Sequence, residues 1–260
     1  MNAIYILWLR EVKRYVRSRV QIVFSLAQPT FYLLAFGFGF GPVFEKAGEG
    51  SYLQFLAPGV VGMTVLLSSM FSGIAVLWDR QFGFLKETLV APVPRIYIMI
   101  GRTLGGATIG MIQGALMILV CILAGFRPQH WINLVPAFSF VAMIAIPFAA
   151  LGMTLGSMIK DMEGLNLASN FLVMPMFFLS GALYPLSHLS RALSVITHID
   201  PLSYGVDGLR GTLVGVWHFS YSLDSFLLCS LAAIFLMTGA YCFSRSRYEV
   251  SMGCCLFDWL

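Results

Sequence analysis

The chain has 260 residues, of which 58% are hydrophobic and only 11% charged, with a mean hydropathy of +0.83. Soluble domains carry about a quarter charged residues, so this composition excludes a water-soluble protein and defines an integral membrane protein. The net charge of +4 follows from where Lys and Arg flank apolar segments and is no nucleic-acid signature. No linker or low-complexity block divides the chain, so residues 1–248 read as one transmembrane domain and 249–260 as a tail outside the fold.

The first segment, "AIYILWLREVKRYVRSR", places Ile4, Leu7, Trp8 and Val12 on one helical stripe and Arg10, Lys13, Arg14 and Arg17 mostly on another. This pattern predicts an interfacial helix with its apolar face in lipid and its basic face toward phosphates. The alternative is a cytoplasmic extension of the first span.

A hydrocarbon core about 30 Å thick takes roughly 20 apolar helical residues to cross, and a helix satisfies its own backbone there. Six spans are predicted, at 20–40, 52–77, 103–125, 132–158, 165–184 and 221–243. Alternating polar and apolar strands are absent, which argues against a barrel. The first apolar run exceeds a signal-peptide core and lacks a small-x-small exit, so that span is expected to stay.

Twelve of the sixteen Lys and Arg residues fall on the side of the N-terminus, the segment between spans two and three, the segment after span four and the tail. The positive-inside rule therefore puts both termini in the cytoplasm. His130, His188, His198 and His218 all fall in outer segments, where scattered histidines are more often incidental than pH sensors. Cys121, Cys229, Cys242, Cys254 and Cys255 lie in spans or the tail, leaving no outward-facing disulfide pair.

Between spans two and three the stretch "DRQFGFLKETLVAPVPR" predicts a short cytoplasmic helix. Asp79 can cap it, Phe82, Leu85 and Leu89 share a face, and Pro92 and Pro94 stop it. Arg80 and Glu87 oppose the helix dipole at a small cost. So short a helix with an exposed apolar edge needs a partner, either another protein or the chain's own inner surface.

Between spans five and six the sequence is too polar to cross and too apolar to remain in water. Pro185 is expected to end span five; Asp200 is an N-cap with Pro201 at the first helical position, and Gly211 a candidate stop. Asp207 and Arg210, three apart, can pair. Two short re-entrant helices dipping into the outer leaflet are predicted.

Within the membrane, Gly106, Gly110 and Gly114 share a face of span three, and Gly152 and Gly156 repeat the spacing in span four. Such residues allow close helix packing, within one subunit or between two. Gln113, Asn166 and Asn170 are polar groups that either line a pathway or bond neighbouring helices. No ionisable residue is expected well inside a span, which disfavours an ion-coupled carrier. No H-E-x-x-H motif occurs and every His is outside, against an intramembrane hydrolase.

The six spans, the basic N-terminal helix, "DRQFGFLKETLVAPVPR" after span two and "LSGALYPLSHL…DPLSYGVDGLRG" before span six together resemble the permease subunit of type-2 ABC exporters. The resemblance covers residues 1 to about 248. It is nearest to the drug-resistance permeases of the daunorubicin-exporter type, with the nodulation-factor exporter permease a close relation.

It implies an all-α integral membrane protein in the inner membrane of a prokaryote, working as a homodimer with two copies of a separate ATPase subunit. The chain has no G-x-x-x-x-G-K-[ST] loop, so ATP and Mg belong to that partner and the chain itself is not expected to be an enzyme. In family terms Arg80, Phe82, Leu85, Lys86, Glu87 and Leu89 form the coupling helix seated in the ATPase. Pro185, Asp200, Pro201, Asp207 and Arg210 are outer-gate residues, and the cargo is hydrophobic or amphipathic: a drug, lipid or glycoconjugate. The alternative is an ATP-independent channel or scaffold.

Overall fold

The computed structural model describes residues 2–46, 51–81, 94–159, 161–184, 195 and 197–245, and among them all regular structure is helical. In chain order these are α1 (Asn2–Arg17), α2 (Arg19–Lys46), α3 (Tyr52–Met70), α4 (Ile74–Gln81), α5 (Arg95–Leu123), α6 (Leu134–Met158), α7 (Met162–Leu179), α8 (Pro201–Val214) and α9 (Tyr221–Arg245). Short 3-10 turns, Phe71–Gly73 and Trp131–Asn133, join α3 to α4 and lead into α6. Six helical stretches are long and apolar enough to cross a membrane: Arg19–Gly41, Tyr52–Gly73, Ile96–Leu123, Trp131–Met158, Met162–Leu179 and Tyr221–Tyr241. The six predicted spans are therefore present.

Their ends differ from expectation where local chemistry overrides hydropathy. The third span starts at Arg95, not at 103, because Pro94 opens the helix and apolar Ile96–Ile100 continue it. Arg102 is thereby enclosed in the helix and buried. The fifth starts at Met162, where the Asp161 carboxylate accepts the Gly164 N–H at 2.5 Å. It stops at Leu179 rather than 184: the Ser180 hydroxyl donates to the Phe177 carbonyl, and Gly181 turns the chain with φ +69°. Asp79 lies inside α4, which the 3-10 turn carries onward from span two to Gln81, and the segment it is expected to cap lies outside the described residues.

Span two is the most enclosed of the six, while spans one, five and six present most of their surface outward. The glycine stripe shows how it is enclosed. On α5 a Cβ at Gly106 would meet Ser72 Oγ at 2.2 Å and Ala149 Cβ at 3.3 Å; one at Gly110 would meet Ser69 Oγ at 2.1 Å and Ala145 Cβ at 3.3 Å. Gly114 likewise faces Val65 and Val141, so α3 and α6 both pack on this face. The close packing these glycines allow is within one subunit.

The N-terminal helix is present, but its faces are assigned differently from the prediction. Ile4 and Leu7 rest on Gly101, Glu11 rests on Gly105, and Trp8 Nε1 donates to Thr108 Oγ1 at 2.9 Å. Most of the stripe expected in lipid therefore packs on α5, while Tyr5, Ile6 and Val16 are exposed. The glycines of α5 open a groove that admits the bulky residues, and the indole N–H finds an acceptor there.

Candidate functional site

Three places gather polar groups. On the side of the turn at Gly181, α8 is buried along nearly its whole length. A Cβ at Gly205 would lie 2.5 Å from Ile144, and one at Gly208 2.2 Å from the Phe140 ring, while Gly62 of α3 faces Val206. Gly62, Phe140 and Ile144 lie well within spans two and four, so this short helix packs deep against them. Its N-cap is as expected: the Asp200 carboxylate accepts the Leu202 N–H at 3.1 Å and Pro201 holds the first position.

The far end of α8 corrects the prediction. The helix passes Gly211 and stops at Gly215, whose φ is +82°. Gly211 is internal because the Trp217 indole folds onto it; a Cβ there would lie 2.2 Å from the ring. The expected Asp207–Arg210 pair is also not the contact made. Asp207 accepts the N–H groups of His218 at 3.0 Å and Phe219 at 2.8 Å, pinning the loop to α9. Arg210 donates to the Gly181 carbonyl at 3.0 Å and stacks 4.0 Å above the Phe55 ring. Backbone groups left over at two turns outcompete the side-chain partner one helical turn away, because inside the protein an unmet N–H or C=O is costly.

Burial dominates the electrostatics of this cluster. It pushes the Asp200 carboxyl up to about 7 despite hydrogen bonds from Leu202 and Ser203 that oppose the rise. Asp207 is also raised by burial, with its two backbone donors and the Arg210 charge pulling the other way. Arg210 is pushed down to about 10 by burial, with the Asp207 charge opposing the fall. Asp224, in the first turn of α9, is fully buried, and neither carboxylate oxygen has a hydrogen-bond partner among the described residues. Arg102, counted in the sequence as a charge flanking span three, lies buried inside that span, against the expectation that no ionisable residue sits well within one. Asp224 lies near a helix end, where hydropathy cannot tell a side chain reaching for water from one turned inward.

On the side of α1, a cavity of about 650 Å³ lies between α1 and spans one, two and three. Arg10, Glu11 and Arg14 border it from α1, Gln21, Gln28 and Ser68 from its flanks, and Phe24, Phe71 and Trp78 from its apolar wall. Gln113 forms part of the wall and is fully buried. Its amide nitrogen donates to the Tyr15 hydroxyl and, at 2.5 Å, to Ser25 Oγ. Gln113 is thus an interhelical clasp on both sides of the break at Ser18. Tyr15 and Ser25 were not singled out in the sequence; only their polarity among apolar neighbours marks them.

The third place is an outward face. Asn166 and Asn170 are exposed on α7, and Asn170 Nδ2 donates to the Asn166 carbonyl at 2.9 Å within the same helix. Gln21, Phe24, Gln28, Phe31 and Phe38 form a comparable exposed stripe on α2, with Phe24 73%, Phe31 72% and Phe38 64% exposed. Arg80 belongs to α4, while Phe82, Leu85, Lys86, Glu87 and Leu89 lie outside the described residues, as does Pro185. Among the described residues no group of three or more His, Cys, Asp or Glu is placed to hold a metal ion.

Six apolar spans with polar clusters at their ends define a multi-pass membrane protein. The chain belongs to the ABC-2 type transporter family, which matches it over residues 2–214. It is 27% identical over 217 residues to the inner membrane transport permease YadH of Escherichia coli, covering 81% of this chain and 82% of that one. Similarity extends to nodulation protein J of Rhizobium leguminosarum bv. viciae, 26% identical over 211 residues with 80% and 81% of the two chains covered. Nodulation protein J of Rhizobium meliloti is 28% identical over 215 residues, with 82% and 81% covered. The family is one of membrane permeases working in ABC transporter systems, not of catalytic enzymes.

Proposed function

We propose that the chain is the membrane-spanning subunit of an ATP-driven exporter, moving a hydrophobic or amphipathic cargo (drug, lipid or glycoconjugate) out of the cytoplasm or inner leaflet. The observation that carries this reading is the family match over residues 2–214, which takes in five of the six spans, the segment after span two and α8. Two permease copies each engage one ATPase subunit, which binds the ATP and Mg. ATP closes the ATPase pair, and the segment holding Arg80, Phe82, Leu85, Lys86, Glu87 and Leu89 moves with it. The paired spans then exchange an inward-open for an outward-open arrangement, with binding energy biasing two packings.

In this reading α8 is an outer gate. Asp200 and Pro201 fix its start, Asp207 holds the loop to α9, Arg210 ties it to the turn at Gly181, and Pro185 belongs to the same gate. The exposed Asn166, Asn170, Gln21 and Gln28 support a second copy against spans one and five, since amide side chains facing lipid are costly and a partner or water path relieves that cost. Both termini lie in the cytoplasm. The deciding experiment co-expresses the chain with candidate ATPase subunits and measures ATP-dependent substrate transport in vesicles. Transport that needs ATP and is lost with Phe82→Asp or Leu85→Asp supports the reading, whereas transport continuing without ATP refutes it.

A further inference from the structure

We propose that Asp224 is a proton-binding site: its carboxyl holds a proton at neutral pH in the folded protein, and release of that proton loosens the junction between α8 and α9. Asp224 sits in the first turn of α9 with none of its surface exposed. Neither carboxylate oxygen has a hydrogen-bond partner or a paired cation among the described residues. The elements packed around it bring no compensating charge. Asp207 and Tyr204 of α8 lie close enough to act on it electrostatically, and Asp200 acts on the same tyrosine. Arg210 of α8 and His218 of the loop direct their charge at Asp207. The sequence of α6 carries no ionisable residue, the half of α5 beyond Gln113 carries the Cys121 thiol, and Tyr221 in the same turn of α9 is exposed.

The two facing acids divide one charge between them. Burial works against the charge on Asp207, while the His218 and Phe219 N–H groups and Arg210 work for it. Asp224 has the same burial and no donor, and it faces the Asp207 charge besides. The N-terminus of its own helix favours a negative charge only weakly beside an unpaired buried carboxylate. Asp207 therefore keeps its charge and Asp224 its proton. A metal ion fits less well, since no third His, Cys, Asp or Glu among the described residues joins the two. When Asp224 gives its proton to water, two like charges face each other in a dry site. Parting α9 from α8 relieves them, and the bonds from His218 and Phe219 to Asp207 are what that parting breaks. The proton site stands on these contacts; only its bearing on an outer gate rests on the exporter reading.

The test uses the full chain in lipid nanodiscs with isotopically labelled aspartate. At about pH 7, the infrared difference between the unaltered chain and Asp224→Asn is expected to contain the carbonyl band of a protonated carboxyl. The paired bands of a carboxylate in its place overturn the proposal. Hydrogen exchange follows the junction itself. From about pH 7 to about pH 9, exchange at the His218 and Phe219 N–H groups should rise roughly tenfold beyond the base-catalysed increase of a free peptide of that sequence. Asp224→Asn should show the peptide's increase alone, whereas Asp200→Asn and His218→Gln, which remove neighbouring titratable groups, should keep the extra rise. An unaltered chain that only tracks the peptide, an equal rise in Asp224→Asn, or loss of the rise with Asp200→Asn or His218→Gln overturns the proposal. Exchange in the unaltered chain needs no variant, so that arm decides even if Asp224→Asn folds poorly. Neither measurement requires transport, so this proposal and the exporter reading fail separately.

Discussion

Gly73 and Gly152 meet backbone to backbone: a Cβ built on Gly73 would lie 2.0 Å from the Gly152 carbonyl oxygen, and one built on Gly152 would lie 2.1 Å from that of Met70. Gly156 extends the seam, 2.5 Å from the Gly73 carbonyl by the same measure. No rotamer change relieves such a clash, because both sides are main chain. Gly73→Ala or Gly152→Ala is therefore expected to destabilise the fold by about 2 kcal/mol or more, read as a lower melting temperature in detergent. Gly39→Ala and Gly41→Ala, with nothing within 4 Å of the added carbon, should leave that temperature essentially unchanged.

Removing the Gln113 clasp should free α1 before it unfolds the bundle. Gln113→Leu keeps the volume and loses the bonds to Tyr15 and Ser25, at a cost of about 1–3 kcal/mol because the two hydroxyls are left without this donor. Limited proteolysis near Ser18 should speed up, while the melting of the remaining spans changes less. Unchanged cleavage would show that the clasp does not restrain the N-terminal helix.

The buried acids at α8 give the protein an expected pH dependence. The Asp200 carboxyl ionises at about 7 in the folded protein against an ordinary value of 3.8, so between those values the folded state holds a proton that the unfolded state has released. Its contribution to stability is full below about 4, declines as pH rises toward 7 and is level above that. Asp207 is raised in the same direction. Melting temperature should therefore rise on going from pH 8 to pH 5, by an amount on the order of 2 kcal/mol in stability. Asp200→Asn keeps the N-cap and should flatten much of that slope.

Arg210 combines a hydrogen bond to the Gly181 carbonyl with a stack over Phe55, and a lysine cannot reproduce both. Arg210→Lys should lower stability by about 1–2 kcal/mol. Phe55→Leu should lower it less, and the double variant should fall short of the sum because the two changes share one contact. Additive losses in thermal melting would mean that the stack contributes nothing.

Exposed amides on α7 invite a direct test of a second copy. With Cys229, which is exposed, replaced by Ser, Asn170→Cys or Asn166→Cys should give an oxidant-dependent dimer in membranes. Ala149→Cys, buried in the subunit core, should not. Monomer alone from both asparagine positions would place the dimer contact elsewhere.

The sequence by itself determined the solvent, the number of spans, the basic N-terminal helix and the cap at Asp200–Pro201. These follow from hydropathy summed over about twenty residues and from local chemistry, neither of which depends on distant parts of the chain. Tertiary structure decided the rest. Glycine spacing announces close approach without naming the neighbour; only the fold shows that Gly106 and Gly110 admit spans two and four. Asp207 and Arg210 have the spacing of a pair, yet each is claimed by the backbone of a turn far along the chain. Trp8 and Leu7 have the pattern of a lipid face, yet a groove at Gly101 and Gly105 receives them. In each case the physical reason is the same: amphipathic pattern fixes that a face is covered, and three-dimensional packing fixes what covers it.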